Sequence, residues 1–185
     1  MGKKIIAAFL LICGVAFSLA AAEQLQITAN FAGDNDAKIE ILGKSPNVRA
    51  SKDSNGFIDK KKAGRAHRFY VVKNLDGKFE VMLKLRLTGD GNFCFSAIGW
   101  GPKKDEYTWF DCLSLEINGE KYIPGKNNKP LTFARWKRLT PEIAIGDTEE
   151  ITLKAVFRKV DAERAAKLEA AARKSAAKKP AKKKK

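Results

Sequence analysis

The chain has 185 residues, with 36 Lys or Arg against 21 Asp or Glu, a formal charge of +15 and a single histidine. One histidine and three cysteines leave little for a metal centre, and any Ser-His-Asp or Cys-His arrangement would have to be built on His67. His67 stands between Arg65 and Arg68 with no evident carboxylate to orient it, so it reads as a solvated loop residue and the chain as non-catalytic.

From the N-terminus, Lys3 and Lys4 precede an apolar run from Ile5 to Ala16, and Ala20-Ala21-Ala22 follows. That three-part pattern is a secretory signal peptide cut after Ala22, with a retained N-terminal anchor as the alternative. The run is short for a membrane span and no second one follows it. Cys13 lies inside the run after bulky Leu11 and Ile12, which does not suit a lipid-modified cysteine. The protein is therefore expected to be exported, to a periplasm, a cell surface or the medium.

Gln24 to Phe31 alternates apolar and polar residues and predicts a first strand. Gly33 to Asp36 predicts a turn, Lys38 to Leu42 a short strand, and 43–56 a surface loop. Lys60 to Arg68 reads as a basic loop leading into a strand at Phe69 to Val72. The run from Gly77 to Trp100 is the centre of the pattern. Phe79, Val81, Leu83, Leu85 and Leu87 share one face, Gly89-Asp90-Gly91 turns the chain, and a second apolar ribbon follows. This predicts a long central β-hairpin.

After a polar loop at 101–106, Tyr107 to Ile117 predicts a strand with Trp109, Leu113, Leu115 and Ile117 on one face. Asn118-Gly119 is a hairpin turn returning through Glu120 to Ile123. Pro124 to Pro130 is a loop, Leu131 to Leu139 and Ile143 to Ile145 hold short strands, and Glu150 to Lys159 is the last. Nine or ten short strands without a helix between 23 and 160 argue an all-β fold, an antiparallel β-sandwich of the jelly-roll kind.

Residues 161–185 differ, with ten bases against three acids. Asp161 to Ala177 favours helix, but Leu168 is its only large apolar residue, so a fraying, undocked helix is expected. Lys178, Lys179, Lys182, Lys183, Lys184 and Lys185 belong to a segment that can bury nothing and should be disordered. Closely spaced lysines condense onto polyanions, and in an exported protein these are lipid head groups, cell-wall polymers or acidic glycans. Nucleic acid is a partner only if extracellular. A solubilising tail with no fixed partner is the plain alternative.

Cys94 and Cys112 remain after cleavage, and both point to the reverse faces of their predicted strands. In an oxidising compartment a cross-strand disulfide is expected, against two buried free thiols. Trp100 and Tyr107 flank the polar loop that carries Lys103 and Lys104, and would suit a stacking platform for sugar rings. The competing reading for both rings is a place in the core. Trp109 and Trp136 read as core residues.

The segments Gly77 to Gly101, Leu131-Thr-Phe-Ala-Arg-Trp-Lys-Arg-Leu-Thr140 and Asp147 to Phe157 resemble the galactose-binding-like jelly roll of carbohydrate-binding modules. The resemblance covers about half the chain and rests on patterns of apolar residues. It implies glycan binding, of acidic glycans given the charge, with Trp136 as a structural tryptophan. It also implies a structural calcium, to which Asp34, Asn35, Asp36 and Asp147 could give oxygens; an Asx-rich turn is the alternative there. No other cofactor is expected. An envelope interaction protein with no sugar site, tethered by its tail, is the second reading of the whole chain, and an unrecognised hydrolase the third.

Overall fold

The computed structural model describes residues 23–33, 37–52, 54–59, 62–122 and 129–177. The expected signal peptide, the turn at 34–36 and the tail lysines from Lys178 onward lie outside them.

Thirteen strands and one helix follow in order: β1 (Gln24–Gly33), β2 (Lys38–Lys44), β3 (Val48–Ala50), β4 (Ser54–Asp59), β5 (Lys62–Val71), β6 (Lys78–Thr88), β7 (Gly91–Trp100), β8 (Phe110–Ile117), β9 (Glu120–Tyr122), β10 (Leu131–Phe133), β11 (Lys137–Arg138), β12 (Ile143–Ile145), β13 (Thr148–Lys159) and α1 (Ala162–Ala177). They form two antiparallel sheets packed as a sandwich. Sheet A runs β11-β7-β1-β5-β3, with β12 also on β7 and β4 also on β5. Sheet B runs β10-β8-β13-β6-β2, with β9 on β8.

Period-two alternation is what the inner faces need, because successive side chains leave a strand on opposite sides. Leu25, Ile27, Ala29 and Phe31 of β1 meet Val81, Leu83, Leu85 and Leu87 of β6 and Ile151, Leu153 and Phe157 of β13 in one core. Aromatic edges fill the gaps: Phe93 and Phe95 are 4.8 Å apart and T-shaped, and Phe79 stacks on Phe157 at 5.9 Å. The outer face of sheet B is solvated and laced with ion pairs. Arg86 reaches Glu40 and Glu150 at 3.1 and 3.0 Å, and Lys84 reaches Glu150 at 2.9 Å.

The central ribbon is not a hairpin. β6 pairs with β13 and β2, while β7 pairs with β1, β11 and β12, so the chain crosses from one sheet to the other at Gly89-Asp90. The connection from β12 to β13 makes the same crossing, and the two are tied together. Asp147 donates its N–H to Asp90 Oδ1 at 2.9 Å, and Gly89 donates to the Asp147 carbonyl. Crossing lets the apolar faces of β6 and β7 oppose each other instead of lying side by side. Close packing at this end excludes side chains: a Cβ on Gly91 would stand 2.2 Å from the Ala32 carbonyl oxygen.

Three further expectations change. The basic stretch is strand, since β5 starts at Lys62. His67 is consequently buried, opposite Ala29 of β1 and with its ring centroid 6.1 Å from that of Phe69. The predicted loop at 43–56 holds β3 and the start of β4. The Asn118-Gly119 turn forms as expected, with positive φ at both residues between paired Ile117 and Glu120.

Among the described residues Cys94 and Cys112 are free, not bridged. β8 carries a bulge, with Phe157 opposite Cys112 but Val156 opposite Ser114, which leaves Leu113 as the extra residue. The bulge turns Phe110 and Cys112 into the core along with Leu115 and Ile117. Burial pushes the Cys112 thiol up to about 12. Cys94 belongs to the other sheet, on the face of β7 opposite to core residues Phe93 and Phe95, so the thiols cannot meet. We predict that a thiol reductant leaves the thermal unfolding midpoint unchanged, and that denatured protein titrates both Cys94 and Cys112 as free thiols without reduction; a reductant-sensitive midpoint contradicts this pairing of strands.

Candidate functional site

The site is built around the end of β7. Trp100 closes β7 and forms an isolated antiparallel bridge with Tyr107, and the intervening turn folds on itself. Gly101 N–H donates to the Glu106 carbonyl at 2.9 Å, Glu106 N–H donates to the Lys103 carbonyl at 3.1 Å, and Asp105 has φ 65°. This tight turn brings the rings of Trp100 and Tyr107 into a stack, centroids 5.8 Å apart and 23° from parallel. Lys103 and Lys104 project from the same turn into solvent, Lys103 beside Glu106 at 3.5 Å. All four residues expected at a sugar platform are therefore in one place. Just before Trp100, Gly99 admits the returning chain: a Cβ there would lie 2.0 Å from the Thr108 carbonyl oxygen and 2.7 Å from the Phe110 ring.

Trp100 is fixed by a polar ladder on the outer face of sheet A. Its Nε1–H donates to Gln26 Oε1 at 2.9 Å, Gln26 Nε2 donates to Thr28 Oγ1 at 3.0 Å, and Asn30 Nδ2 donates to Ser96 Oγ at 2.8 Å. Gln26, Thr28, Asn30 and Ser96 are themselves buried, so the ladder orients the indole and leaves its surroundings to make contact.

Those surroundings include residues with no place in the expected site. Trp136 is 51% exposed, not a core tryptophan. β11 pairs Lys137 with Ala97 and Arg138 with Ser96; continuing that register by one residue sets Trp136 opposite Ile98, on the face that holds Trp100. Arg135 lies with Cζ 4.9 Å from the centroid of the Tyr107 ring, a cation–π contact. The run Arg135-Trp136-Lys137-Arg138, an aromatic enclosed by bases, was the signal for this second half of the site. Trp109, also expected in the core, is half-buried and lines a recess of about 450 Å³ with Tyr107, Glu23, Asp76, Lys159 and Asp161.

The helix α1 is docked beside this region. Asp161 caps it, accepting the Arg164 N–H at 2.8 Å. Arg164 then reaches back to Asp111 of β8 with a two-pronged contact, Nη1 to Oδ2 at 2.6 Å and Nη2 to Oδ1 at 3.1 Å. Arg158 adds a bond to Oδ2 at 2.9 Å and Thr132 Oγ1–H one to Oδ1 at 2.6 Å. Arg164, Ala165, Leu168, Glu169 and Ala172 are the less exposed residues and fall on one helical face. Charge, not apolar surface, fastens this helix.

Burial of Asp111, which has 0% exposed surface, works to raise its pKa, but hydrogen bonds from Arg164, Thr132 and Arg158 outweigh it and hold the carboxyl below the usual carboxylate range. Among the described residues no group of three or more His, Cys, Asp or Glu is placed to hold a metal ion. Of the proposed calcium oxygens, only Asp147 lies within the described residues, as the turn residue already tied to Asp90. No described helix is long and apolar enough to cross a membrane.

A second concavity, of about 580 Å³, lies on the outer face of sheet B between Met82, Leu113, Tyr122 and Val156, with Lys121 and Lys154 at its rim. Comparisons with protein families, with curated proteins and with solved structures find no match to this chain.

Breaking a buried, hydrogen-bonded charge cluster by removing one member costs about 3–5 kcal/mol. We predict that loss for Asp111→Asn at neutral pH, measured by denaturant unfolding. A depressed folded pKa gives stability that is present above the unfolded aspartate value of about 3.9 and lost as pH falls through the folded value. The gap between wild type and Asp111→Asn should therefore close on acidification below that range. A gap that persists in acid contradicts the assignment.

Proposed function

We propose that the protein is an exported, non-catalytic carbohydrate-binding β-sandwich, galactose-binding-like in kind, whose Lys-rich end adds attraction to anionic surfaces. One observation carries the reading. An indole held by a buried polar ladder closes β7, and the β11 register continued by one residue sets a second, half-exposed indole, flanked in sequence by Arg135 and Lys137, opposite Ile98 on the same sheet face. Sugar rings offer apolar C–H faces to flat aromatics and hydroxyls to polar side chains, and a rigid platform binds them with little ordering cost. Trp100 is rigid by its hydrogen bond and its stack on Tyr107. The half-exposed Trp136 has surface to give.

The second reading, an envelope interaction protein with no sugar site, is favoured by the apolar groove around exposed Met82 on sheet B. The two readings put the contact on opposite faces of the sandwich.

The test is a panel of neutral and acidic oligosaccharides at moderate salt, using the full-length protein and substituted forms. Trp100→Ala and Trp136→Ala should each weaken the best glycan roughly tenfold or more, about 1.4 kcal/mol per decade, with the thermal midpoint checked alongside. Replacing all lysines from Lys178 to Lys185 with Gln should lower binding to anionic surfaces and leave that glycan affinity at moderate salt. If instead both tryptophan variants bind as wild type, or all binding goes with the lysines, the glycan reading is wrong.

A further inference from the structure

We infer that Arg135 is the residue that reads a carboxylate on the ligand, so that the glycan is a uronate, and that Glu169 of α1 competes with it. This rests on the glycan reading and narrows it.

A guanidinium has five N–H donors in a planar fork, and its full partner is a carboxylate gripped by two parallel bonds at about 2.7–2.9 Å. Arg135 has no such grip. Among the described residues its carboxylate partner is Glu169, at 3.8 Å from Nη2, beyond hydrogen-bond reach, and its side chain is 60% exposed. The stack of Tyr107 on Trp100 sets where the guanidinium lies, over the tyrosine ring and next in sequence to Trp136. Of the other bases near it, Lys104 and Lys137 are exposed point charges without a planar fork. Arg138 is paired with Glu142 at 3.0 Å, and Lys103 with Glu106 at 3.5 Å. Among the described residues, Arg135 is the arginine whose fork lies over the Tyr107 ring, and its ion pair with Glu169 is beyond hydrogen-bond reach.

Glu169 shows which chemistry approaches this fork. A carboxylate of the chain itself already stands off Arg135, and its other partner, Arg173 Nε at 3.4 Å, is one turn along the same helix. A uronate carboxylate seated beside Trp100 and Trp136 would take the fork in the two-pronged geometry that Glu169 does not achieve, leaving Glu169 to Arg173. The contact is a competition, and it is reciprocal: what strengthens the Arg135–Glu169 pair weakens the ligand, and the converse.

The probes are an oligogalacturonate and its methyl ester, which share the ring and differ in the carboxylate, titrated into the full-length protein at moderate salt. Hydrogen bonds to a charged group exceed neutral ones enough to give a preference for the free acid of roughly tenfold. Arg135→Gln should bring the two probes level, while Glu169→Gln should enlarge the preference several-fold. These opposite signs exclude a general effect on folding. Equal binding of acid and ester by the wild type, or a preference that survives Arg135→Gln, overturns the inference. If Trp100→Ala still weakens both probes in that case, the glycan reading stands alone; if the wild type binds neither probe nor any other glycan, that reading falls with it.

Discussion

A carboxylate with no exposed surface cannot be left unpaired, and much of the arrangement at one end of this protein follows from satisfying Asp111. The bulge at Leu113 reverses the facing of β8, so that Phe110 and Cys112 enter the core while Asp111 turns to the other side. There it meets Thr132 of β10, Arg158 of β13 and Arg164 of α1. The Arg164 contacts give a polar, alanine-rich helix a fixed position that its own apolar surface would not give it. With α1 fixed, Glu169 is held near Arg135, which in turn lies over Tyr107.

The two outer faces of the sandwich are treated differently. Sheet B faces water with alternating acids and bases that pair across strands, Arg86 with Glu40 and Glu150, Lys154 with Glu116. Exposed pairs of this kind contribute little to stability and serve mainly to keep a face solvated. Sheet A carries amides and hydroxyls bonded to one another, ending on Trp100, with Trp136 and Arg138 along its β11 edge. The polar groups of that face are buried and bonded to one another, and what stands exposed at its β11 edge includes Trp136 and Arg138.

Much of the fold was legible because alternation reports directly on burial. The runs in β1, β6 and β13 name their inner residues without ambiguity. What alternation does not report is the partner. Phe79 to Leu87 and Phe93 to Ala97 have the same pattern whether they lie side by side or face each other, and it is the long-range pairing of β6 with β13 and β2, and of β7 with β1, that separates them. A one-residue bulge likewise leaves no trace in composition, which is why Cys112 was expected outward and bridged. Half of the candidate site was visible, since Trp100, Lys103, Lys104 and Tyr107 belong to one turn. Arg135 and Trp136 reach it through strand pairing some thirty residues on, which local pattern does not reveal. The docking of α1 depended on one arginine finding one buried aspartate, invisible to any reading of amphipathic faces.

The most direct test of the account is to map where a glycan touches the protein. Backbone and indole amide resonances would be followed during titration with an acidic oligosaccharide at moderate salt. The account predicts shifts centred on Trp100, Arg135 and Trp136, including the Trp100 Nε1–H that donates to Gln26. Shifts confined to the terminal lysines, or to the groove of Met82 and Tyr122 on the other sheet, would contradict it.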